Sequence, residues 1–206
     1  MKKTLYIIVT VLLFASCNAQ QSLEGQLKDG DIIFQSMNSD LSKAIELATH
    51  SDYSHVGMVY KSKEGEWMVI EAVQPVQAIP LNSWIDRGVN DHYLVMRLNN
   101  ADEVLTEKAK EKMLAYGESL LGKNYDIYFE WSDERIYCSE LVWKIYNHGT
   151  GISVGKAAQL KSFDLSHPLV KQKLQEHYNG KIPMDEKVVS PQAILESDKL
   201  YQVTKN

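Results

Sequence analysis

Residues 54–60 have the sequence Ser-His-Val-Gly-Met-Val-Tyr, a β-rich run with a glycine at its centre. A second β-rich run, residues 67–73 (Trp-Met-Val-Ile-Glu-Ala-Val), follows after the polar segment 61–66. Two such runs joined by a short polar segment that contains glycine predict an antiparallel hairpin. This hairpin carries one histidine, His55, and one carboxylate, Glu71, so we expect it to be both the centre of a sheet and part of a site.

The length of the hairpin limits which residues lie near His55. If the turn centres near Lys63, His55 lies opposite Glu71, and if it centres near Glu64, His55 lies opposite Val73 and diagonal to Glu71. In both registers the backbones are roughly 5 to 8 Å apart, within side-chain reach. The carboxylate of Glu71 can then orient the imidazole and stabilise its charged form. The alternative is a polar residue at a strand edge, although glutamate is disfavoured within an apolar run.

The segment 137–142, Tyr-Cys-Ser-Glu-Leu-Val, opens a predicted helix and places Cys138 in its first turn. A helix N-terminus lowers the pKa of a thiol, because its unpaired N–H groups and the helix dipole favour negative charge there. This position predicts Cys138 as a nucleophile, and a buried cysteine that acts as a small apolar residue is the alternative. The helix lies far from the hairpin in sequence, so only the tertiary fold can bring Cys138 to His55.

His55 is the predicted base because it is the one histidine of six that lies inside a convincing strand. A lone strand histidine is more often structural, and Glu71 and Cys138 are what give it a catalytic interpretation. It shares a strand face with Gly57, whose missing side chain leaves room for another element to approach. The sequence has no His-Glu-x-x-His motif and no closely spaced cysteine pair, so no metal or other cofactor is expected.

Aromatic residues surround the predicted nucleophile. Tyr137 precedes Cys138, and we predict that its hydroxyl donates to the oxyanion together with the Cys138 N–H, although packing against the sheet is the alternative. The aromatic segment 124–131 is expected to line a cleft, with Asp126 and Glu130 available to a cationic substrate group, unless it is ordinary core. The predicted substrate contacts are Tyr125, Asp126 and Trp131.

The remaining segments predict one mixed domain of helices and antiparallel strands, an α+β fold in which the sheet packs against the helix that starts at Cys138. Glycine and asparagine mark several predicted helix ends, and serine or proline several starts. The further predicted elements are a turn and strand over 27–34, a helix over 39–49, a strand over 92–98, one long helix over 101–121, an end to the Cys138 helix at 147–149, a helix over 167–178 and a short helix after 190–191.

The composition excludes one broad class of partner. The chain has 206 residues, with 22 Lys and Arg against 27 Asp and Glu, and a formal charge of −5. This balance offers no basic surface for a phosphate backbone, so nucleic-acid binding is not expected. The length fits a single domain with one core.

The N-terminus predicts export. Lys2 and Lys3 precede an apolar run over 5–15 that ends in small residues, which is typical of a signal peptide over 1–17. The run is shorter than the ~20 residues of a membrane-spanning helix. We expect a short linker over 18–26 and one catalytic domain over 27–206.

Cys17 ends the segment 14–17, Phe-Ala-Ser-Cys, which resembles a bacterial lipobox despite the phenylalanine where leucine is usual. Lipidation of Cys17 would tether the protein to a membrane, and ordinary cleavage after Ala19 would release it as a periplasmic or secreted protein. With Cys17 lipidated or removed, Cys138 is the only free thiol. A single cysteine in an oxidising compartment cannot form an internal disulfide, which favours a chemical role.

Taken together, several segments resemble the permuted papain-like amidases of the YiiX/YaeF type, within the wider NlpC/P60 group. The resemblance implies a permuted papain-like fold in which the histidine-bearing sheet precedes the cysteine-bearing helix, and a third polar residue on the strand after the histidine, which matches Glu71. It also implies cleavage of amide bonds in cell-wall peptides or acylated amino acids. The segments are 30–34 (Gly-Asp-Ile-Ile-Phe), 54–59, 69–72, Pro80-Leu81 with Trp84, Gly122 with Tyr125-Asp126, and 137–142.

Two other functions stay open at this stage. The same cysteine and histidine can pass an acyl group to an amine or alcohol, which would make the protein an acyltransferase on a lipid-like substrate. A non-catalytic relative would keep only ligand binding, although Cys138, His55 and Glu71 are all intact. A glycosidase built from Glu71 and Asp126 is unsupported, because nothing in the sequence fixes their separation. The expected partners are thus a small amide, peptide or lipid-like substrate and, through Cys17, a membrane.

Overall fold

The β-rich runs form strands in the computed structural model of the protein, which describes residues 23–206. The strands are β1 (Ile32–Gln35), β2 (His55–Lys61), β3 (Trp67–Glu71), β4 (Gln77–Pro80), β5 (Leu94–Leu98), β6 (Asn124–Tyr125), β7 (Arg135–Ile136), β8 (Ala158–Gln159), β9 (Lys187–Val188) and β10 (Leu200–Lys205). Six of these strands make one antiparallel sheet in the order β10-β5-β1-β2-β3-β4. The strands β6 and β7 form a short parallel pair, and β8 and β9 a short antiparallel pair.

The helices begin where a side chain caps their free N–H groups. Ser39 accepts a hydrogen bond from the Ser42 N–H at 3.1 Å, and Ser190 accepts one from the Ala193 N–H at 3.0 Å, as the sequence predicted for both helix starts. The helices are α1 (Asp40–Thr49), α2 (Leu81–Ile85), α3 (Ala101–Val104), α4 (Glu107–Ser119), α5 (Cys138–Thr150), α6 (Pro168–Tyr178) and α7 (Pro191–Leu195), with 3₁₀ turns at Val89–Asp91 and Leu160–Ser162.

Helices cover both faces of the six-stranded sheet. On one face α5 packs on β2 and β3 through a core that joins Leu141 and Ile145 to Val56 and Met58. On the other face Trp84 of α2 belongs to a second buried cluster that includes strand residues of β1, β2, β3 and β5. The predicted α+β fold, with the histidine-bearing sheet against the helix that begins at Cys138, is confirmed.

The hairpin adopts the second of the two registers. Gly57 pairs with Glu71, so Glu71 is diagonal to His55, which is the first residue of β2. The space that the sequence predicted beside Gly57 is filled by the hairpin itself, because a Cβ there would lie 2.5 Å from Val69 Cγ1 and 3.0 Å from the Ile70 carbonyl oxygen. This close approach of β3 brings the Glu71 side chain alongside β2.

The prediction of one long helix over 101–121 is wrong. The segment forms α3 and α4, separated by a non-helical step at Leu105 and Thr106. The Thr106 side chain accepts a hydrogen bond from the Ala109 N–H at 3.3 Å and starts α4. The helical spacing of apolar residues continues through the break between α3 and α4, so it gave no sign of two helices. The local signal for a new helix start was the capping residue Thr106.

The predicted end of the cysteine helix at 147–149 is also wrong. Helix α5 continues to Thr150 and stops at Gly151, which has a φ of 76° that favours glycine. Gly149 lies inside the helix for a packing reason, because a Cβ there would lie 2.2 Å from Met113 Cγ and 3.1 Å from the Ala109 carbonyl oxygen. The second glycine therefore ends the helix, and the first lets α4 approach it.

The C-terminal third, whose role the sequence did not indicate, completes the sheet and forms part of a pocket. Strand β10 pairs with β5 at the edge of the sheet. None of the helices within residues 23–206 is long and apolar enough to cross a membrane. The signal peptide predicted over 1–17 and the lipidation of Cys17 lie outside the described residues, as does most of the linker predicted over 18–26.

Candidate active site

His55 and Glu71 form a buried hydrogen-bonded pair. The Nε2 atom of His55 lies 2.6 Å from Glu71 Oε2, and the Glu71 side chain is 0% exposed. A carboxylate that accepts from an imidazole at this distance fixes the ring orientation and stabilises its charged form. The contact between His55 and Glu71 that the hairpin pattern predicted is therefore present, with Glu71 diagonal to His55 across the two strands.

The second oxygen of Glu71 is held from outside the hairpin. Its Oε1 accepts hydrogen bonds from Gln77 Nε2 at 2.8 Å and from Arg87 Nη2 at 2.5 Å. Gln77 faces Glu71 across the β3–β4 pairing, and Arg87 follows α2. With both oxygens engaged, the carboxylate is fixed in one orientation toward the imidazole.

Cys138 is the first residue of α5, and its thiol lies close enough to the His55 ring for each group to shift the pKa of the other. Because Glu71 occupies Nε2, Nδ1 is the ring nitrogen left for the sulfur. Cys138 Sγ also lies 4.0 Å from the Ser54 carbonyl oxygen, so the start of α5 meets the start of β2. Trp84 stacks on the imidazole, with ring centroids 5.9 Å apart and 23° between the planes.

Burial and hydrogen bonding act in opposite directions on these three groups. Burial lowers the pKa of His55, but the hydrogen bonds to Cys138 and Glu71 outweigh it and raise that pKa to about 9. Burial raises the pKa of the Cys138 thiol, yet the hydrogen bond to His55 and its charge lower it overall. For Glu71, burial is likewise outweighed, chiefly by His55, and the pKa falls to about 2. The arrangement favours a thiolate beside an imidazolium and a carboxylate.

Tyr125 lies near the sulfur. Burial raises the pKa of its hydroxyl well above the usual value, and the neighbouring Cys138 thiol raises it further, so the group stays protonated. The parallel pairing of Tyr125 with Ile136 brings it to the start of α5. The sequence indicated Tyr125 as a substrate contact only, because two-residue strands carry no detectable periodicity.

Tyr137 is oriented away from an oxyanion role. Its hydroxyl accepts a hydrogen bond from the Val189 N–H at 3.2 Å, and its ring packs edge-on against Phe129 with centroids 5.4 Å apart. The side chain is almost completely buried. The donor role stays a prediction for Tyr137, whereas the protonated hydroxyl of Tyr125 lies near the sulfur.

Two predicted substrate contacts are engaged elsewhere. Asp126 is fully buried and accepts hydrogen bonds from the backbone N–H groups of Tyr128 and Glu130 at 2.9 and 2.7 Å, so its carboxylate folds the loop and is not available to a substrate cation. Trp131 packs edge-on against Trp143 and borders a separate groove on the outer side of α5. Glu130 is exposed and pairs with Arg135 at 2.6 Å.

An apolar pocket opens on one side of Cys138 and a groove on the other. The pocket lies between α1 and α6 and includes Cys138 and Tyr137, while the groove includes His55 and Tyr125, and α1 separates the two through Leu41, which borders both. The apolar residues around the pocket are Leu41, Ala44, Ile45, Ala48, Phe129, Leu160, Phe163, Leu165, Val170, Leu174, Val188, Val189 and Pro191. The pocket thus borders the nucleophile, and the groove borders the base.

Gln77 and Arg87 were not identified from the sequence. Gln77 lies in a short strand and Arg87 in the turn after α2, and neither belongs to a motif. Their contact with Glu71 depends on the pairing of β3 with β4 and on the return of the chain across the sheet. A prediction that β4 pairs with β3 would have placed Gln77 opposite Glu71. No comparable signal points to Arg87.

Comparisons with known proteins identify the family of the chain. A family model described as permuted papain-like amidase enzyme, YaeF/YiiX, C92 family, matches residues 26–204. The uncharacterized protein YiiX of Escherichia coli K12 is 46% identical over 180 residues, which cover 87% of each chain.

A crystal structure of YiiX from Escherichia coli O157:H7 superposes with a TM-score of 0.83 at 47% identity, over 88% of this chain and 98% of that one. That protein is described as a metalloprotein. Within residues 23–206 of the present chain, no three His, Cys, Asp or Glu side chains converge as metal ligands would, and the described residues therefore do not fit such an ion. The chain belongs to the permuted papain-like amidase family of the YaeF/YiiX type.

Proposed function

We propose that this protein is an exported cysteine hydrolase that cleaves an amide bond, with Cys138 as nucleophile, His55 as acid and base, and Glu71 as the residue that orients His55. The observation that carries the proposal is the buried hydrogen bond between Glu71 and His55 at 2.6 Å, together with the Cys138 thiol beside the His55 ring, where each group shifts the pKa of the other. Family membership supports papain-like amidase chemistry, and the predicted signal peptide over 1–17 supports export.

In the first step the Cys138 thiolate attacks the carbonyl carbon of the amide. A C–S bond forms and the carbonyl oxygen becomes an oxyanion, for which the Cys138 N–H and the protonated Tyr125 hydroxyl are the candidate hydrogen-bond donors. The His55 imidazolium then gives its proton to the amide nitrogen while the C–N bond breaks, so the amine leaves and a thioester remains on Cys138.

In the second step neutral His55 takes a proton from a water molecule, which attacks the thioester carbonyl. The C–S bond breaks, the acid product leaves, and the thiolate and imidazolium are restored. Glu71 stabilises the imidazolium in both steps through its hydrogen bond to Nε2. An amine or alcohol in place of water would give acyl transfer by the same route, and product analysis distinguishes the two outcomes.

The surfaces on either side of Cys138 favour an acylated amino acid over a cell-wall peptide as substrate. The pocket beside Cys138 is bordered by aliphatic and aromatic side chains of α1 and α6, which suits an acyl chain and not a polar peptide. The groove beside His55 includes Ser39, Ser42 and Gln74, which suit a polar leaving group. When Cys138 attacks a substrate whose acyl chain lies in the pocket, the leaving amine is directed toward His55, which protonates it.

A chain-length series tests this substrate class. For N-acyl amino acids we expect kcat/KM to rise roughly two- to fourfold per added methylene until the pocket is full, since each buried CH₂ contributes ~0.8 kcal/mol. Ala44 borders the pocket, so Ala44→Leu should shorten the preferred chain while a short-chain substrate, as the internal control, is cleaved at the wild-type rate. Cleavage of cell-wall peptides with no dependence on an acyl chain would contradict the assignment.

A further inference from the structure

Four charged groups lie in a row from the nucleophile toward the protein surface. The Cys138 thiol lies beside the His55 ring, His55 Nε2 lies 2.6 Å from Glu71 Oε2, and Glu71 Oε1 lies 2.5 Å from Arg87 Nη2. The first three groups are buried, while the Arg87 side chain is 32% exposed. Arg87 is therefore the member of the row that meets solvent, and it does not contact the sulfur or the imidazole directly.

The charges of this row sum to zero only when Arg87 is included. A thiolate, an imidazolium and a carboxylate carry a net charge of −1 in a site that is shielded from water. An uncompensated buried charge is costly, and a site relieves that cost by taking up a proton. The guanidinium of Arg87 removes the excess charge and leaves the thiolate free of that proton.

Backbone contacts of the residues that follow Arg87 fix its position in the fold. Gly88 forms an isolated bridge with Met37, and the Val89 N–H donates to the Ser36 carbonyl at 3.0 Å, so the turn after α2 is fixed to the chain that leaves β1. A Cβ on Gly88 would lie 2.4 Å from Gln35 Oε1 and 3.1 Å from the Ile85 carbonyl oxygen, so the turn runs close to the side chain of the last residue of β1. The position of Arg87 is thus built into the backbone.

We propose that Arg87 is a positioning residue that balances the charge of the active site, holding Glu71 ionised and turned toward His55 so that Cys138 stays a thiolate. This inference rests on the proposed function, because it assigns the support of the same site. Arg87 and His55 are the two cations whose charge lowers the pKa of Glu71. The other titratable groups that face the sulfur are Tyr125 and Tyr137, and burial raises the pKa of both, so they stay neutral.

The test measures thiolate formation without any substrate. The full-length protein is alkylated with iodoacetamide from pH 4 to pH 10, and the rate at the Cys138 peptide is followed by mass spectrometry. In Arg87→Met the onset of alkylation should move to higher pH by about one unit, so that at any pH below the wild-type onset the rate falls about tenfold. Arg87→Lys keeps the charge and should move the onset less.

A second substitution separates charge balance from packing. Arg87 acts on the sulfur through the Glu71 carboxylate, so in a Glu71→Gln background Arg87→Met should shift the onset of alkylation less than it does in the wild-type background. Lys161→Met is the matched control, because it removes one positive charge from an exposed pair with Asp185 and should leave the onset unchanged.

Three results would overturn the inference. An Arg87→Met protein with the wild-type alkylation profile would show that Arg87 has no influence on the sulfur. An Arg87→Met substitution that shifts the onset as far in the Glu71→Gln background as in the wild type, or an Arg87→Lys substitution that shifts it as far as Arg87→Met, would assign the effect to packing. A wild-type Cys138 that reacts no faster at pH 6 than an unperturbed thiol would overturn the proposed function itself, and the inference with it.

Discussion

At the scale of single residues, the site depends on contacts that oppose the effect of burial. Burial alone would keep Cys138 a thiol and His55 neutral, since a low-dielectric surrounding disfavours each charged form. The interaction between the two groups, and the hydrogen bond from His55 to Glu71, outweigh burial, so the pKa of Cys138 falls and the pKa of His55 rises. A change that removes one of these interactions should therefore alter the pH dependence as well as the rate.

Glu71→Gln tests this at the residue that orients His55. The variant keeps the size of the side chain but loses the charge that stabilises the imidazolium, so activity should fall by roughly 10- to 10⁴-fold. The pKa of His55 is raised to about 9 in the native protein, and the hydrogen bond to Glu71 contributes to that rise. The alkaline limb of the kcat profile should therefore move below pH 9 in the variant.

A pH–rate profile with thermal denaturation as a control for folding makes the measurement. A well-folded Glu71→Gln protein with unchanged activity and an unchanged alkaline limb would show that Glu71 is a strand residue only. The site would then reduce to Cys138 and His55.

The sequence predicted these three residues because each has a local signal. The hairpin limits Glu71 to two registers near His55, and the start of an amphipathic helix marks Cys138. Arg87 reaches Glu71 from a turn beyond another strand and a short helix, and no spacing rule connects the two. Residues that support a site from separate elements therefore need the tertiary fold to be found.

At the scale of elements, the close packing of α4 on α5 holds the helix that begins with Cys138. Gly149 of α5 faces Met113 of α4, and a Cβ there would lie 2.2 Å from Met113 Cγ and 3.1 Å from the Ala109 carbonyl oxygen. Gly117 of α4 also faces this interface, but a Cβ there would meet the mobile ends of Ile70 and Ile145 first, at 2.8 and 3.0 Å.

Gly149→Ala should therefore destabilise the protein by about 1 to 3 kcal/mol, because the added methyl group presses on backbone and on the stem of a buried side chain. Gly117→Ala is the matched control, and we expect a smaller effect because terminal isoleucine methyl groups can move. The gain in helix propensity, up to about 1 kcal/mol, is common to both substitutions. Urea denaturation of both variants measures the difference. Equal stability of the two would contradict this account of the α4–α5 contact.

Element boundaries were predicted well where a cap was conspicuous and poorly where periodicity continued through it. Ser39 and Ser190 marked helix starts that the structure confirms. Thr106 was overlooked within an apolar pattern that continued on both sides, although it starts α4. The choice between Gly149 and Gly151 as the end of α5 depended on the packing of α4, which is a tertiary fact.

At the scale of the whole molecule, the segments around the pocket come from distant parts of the chain. Helix α1, near the N-terminus, and α6, near the C-terminus, lie on opposite sides of the space beside Cys138. The sequence could not reveal this pocket, because each helix alone has an ordinary apolar face. A substrate with an acyl chain would be a lipid-like molecule, which agrees with the membrane attachment predicted through Cys17.

Cys17→Ala tests the predicted attachment. Lipidation requires the Cys17 thiol, so the variant should leave the membrane fraction or fail to be exported, while the wild type sediments with membranes. Fractionation of cells, with a Cys138→Ala protein as the matched cysteine control, makes the comparison. A Cys17→Ala protein that still fractionates with membranes as the wild type does would show that the anchor lies elsewhere or that the protein is not a lipoprotein.

The central claim is that Cys138 forms a covalent bond with the acyl part of the substrate, and a trapped thioester tests it most directly. The purified protein is mixed with an N-acyl amino acid, quenched in acid within one turnover, digested and examined by mass spectrometry. We expect the mass of the acyl group on the Cys138 peptide, no such adduct in Cys138→Ala, and much less in His55→Ala. Turnover by the wild type without an adduct on Cys138, together with turnover that persists in Cys138→Ala, would contradict the mechanism.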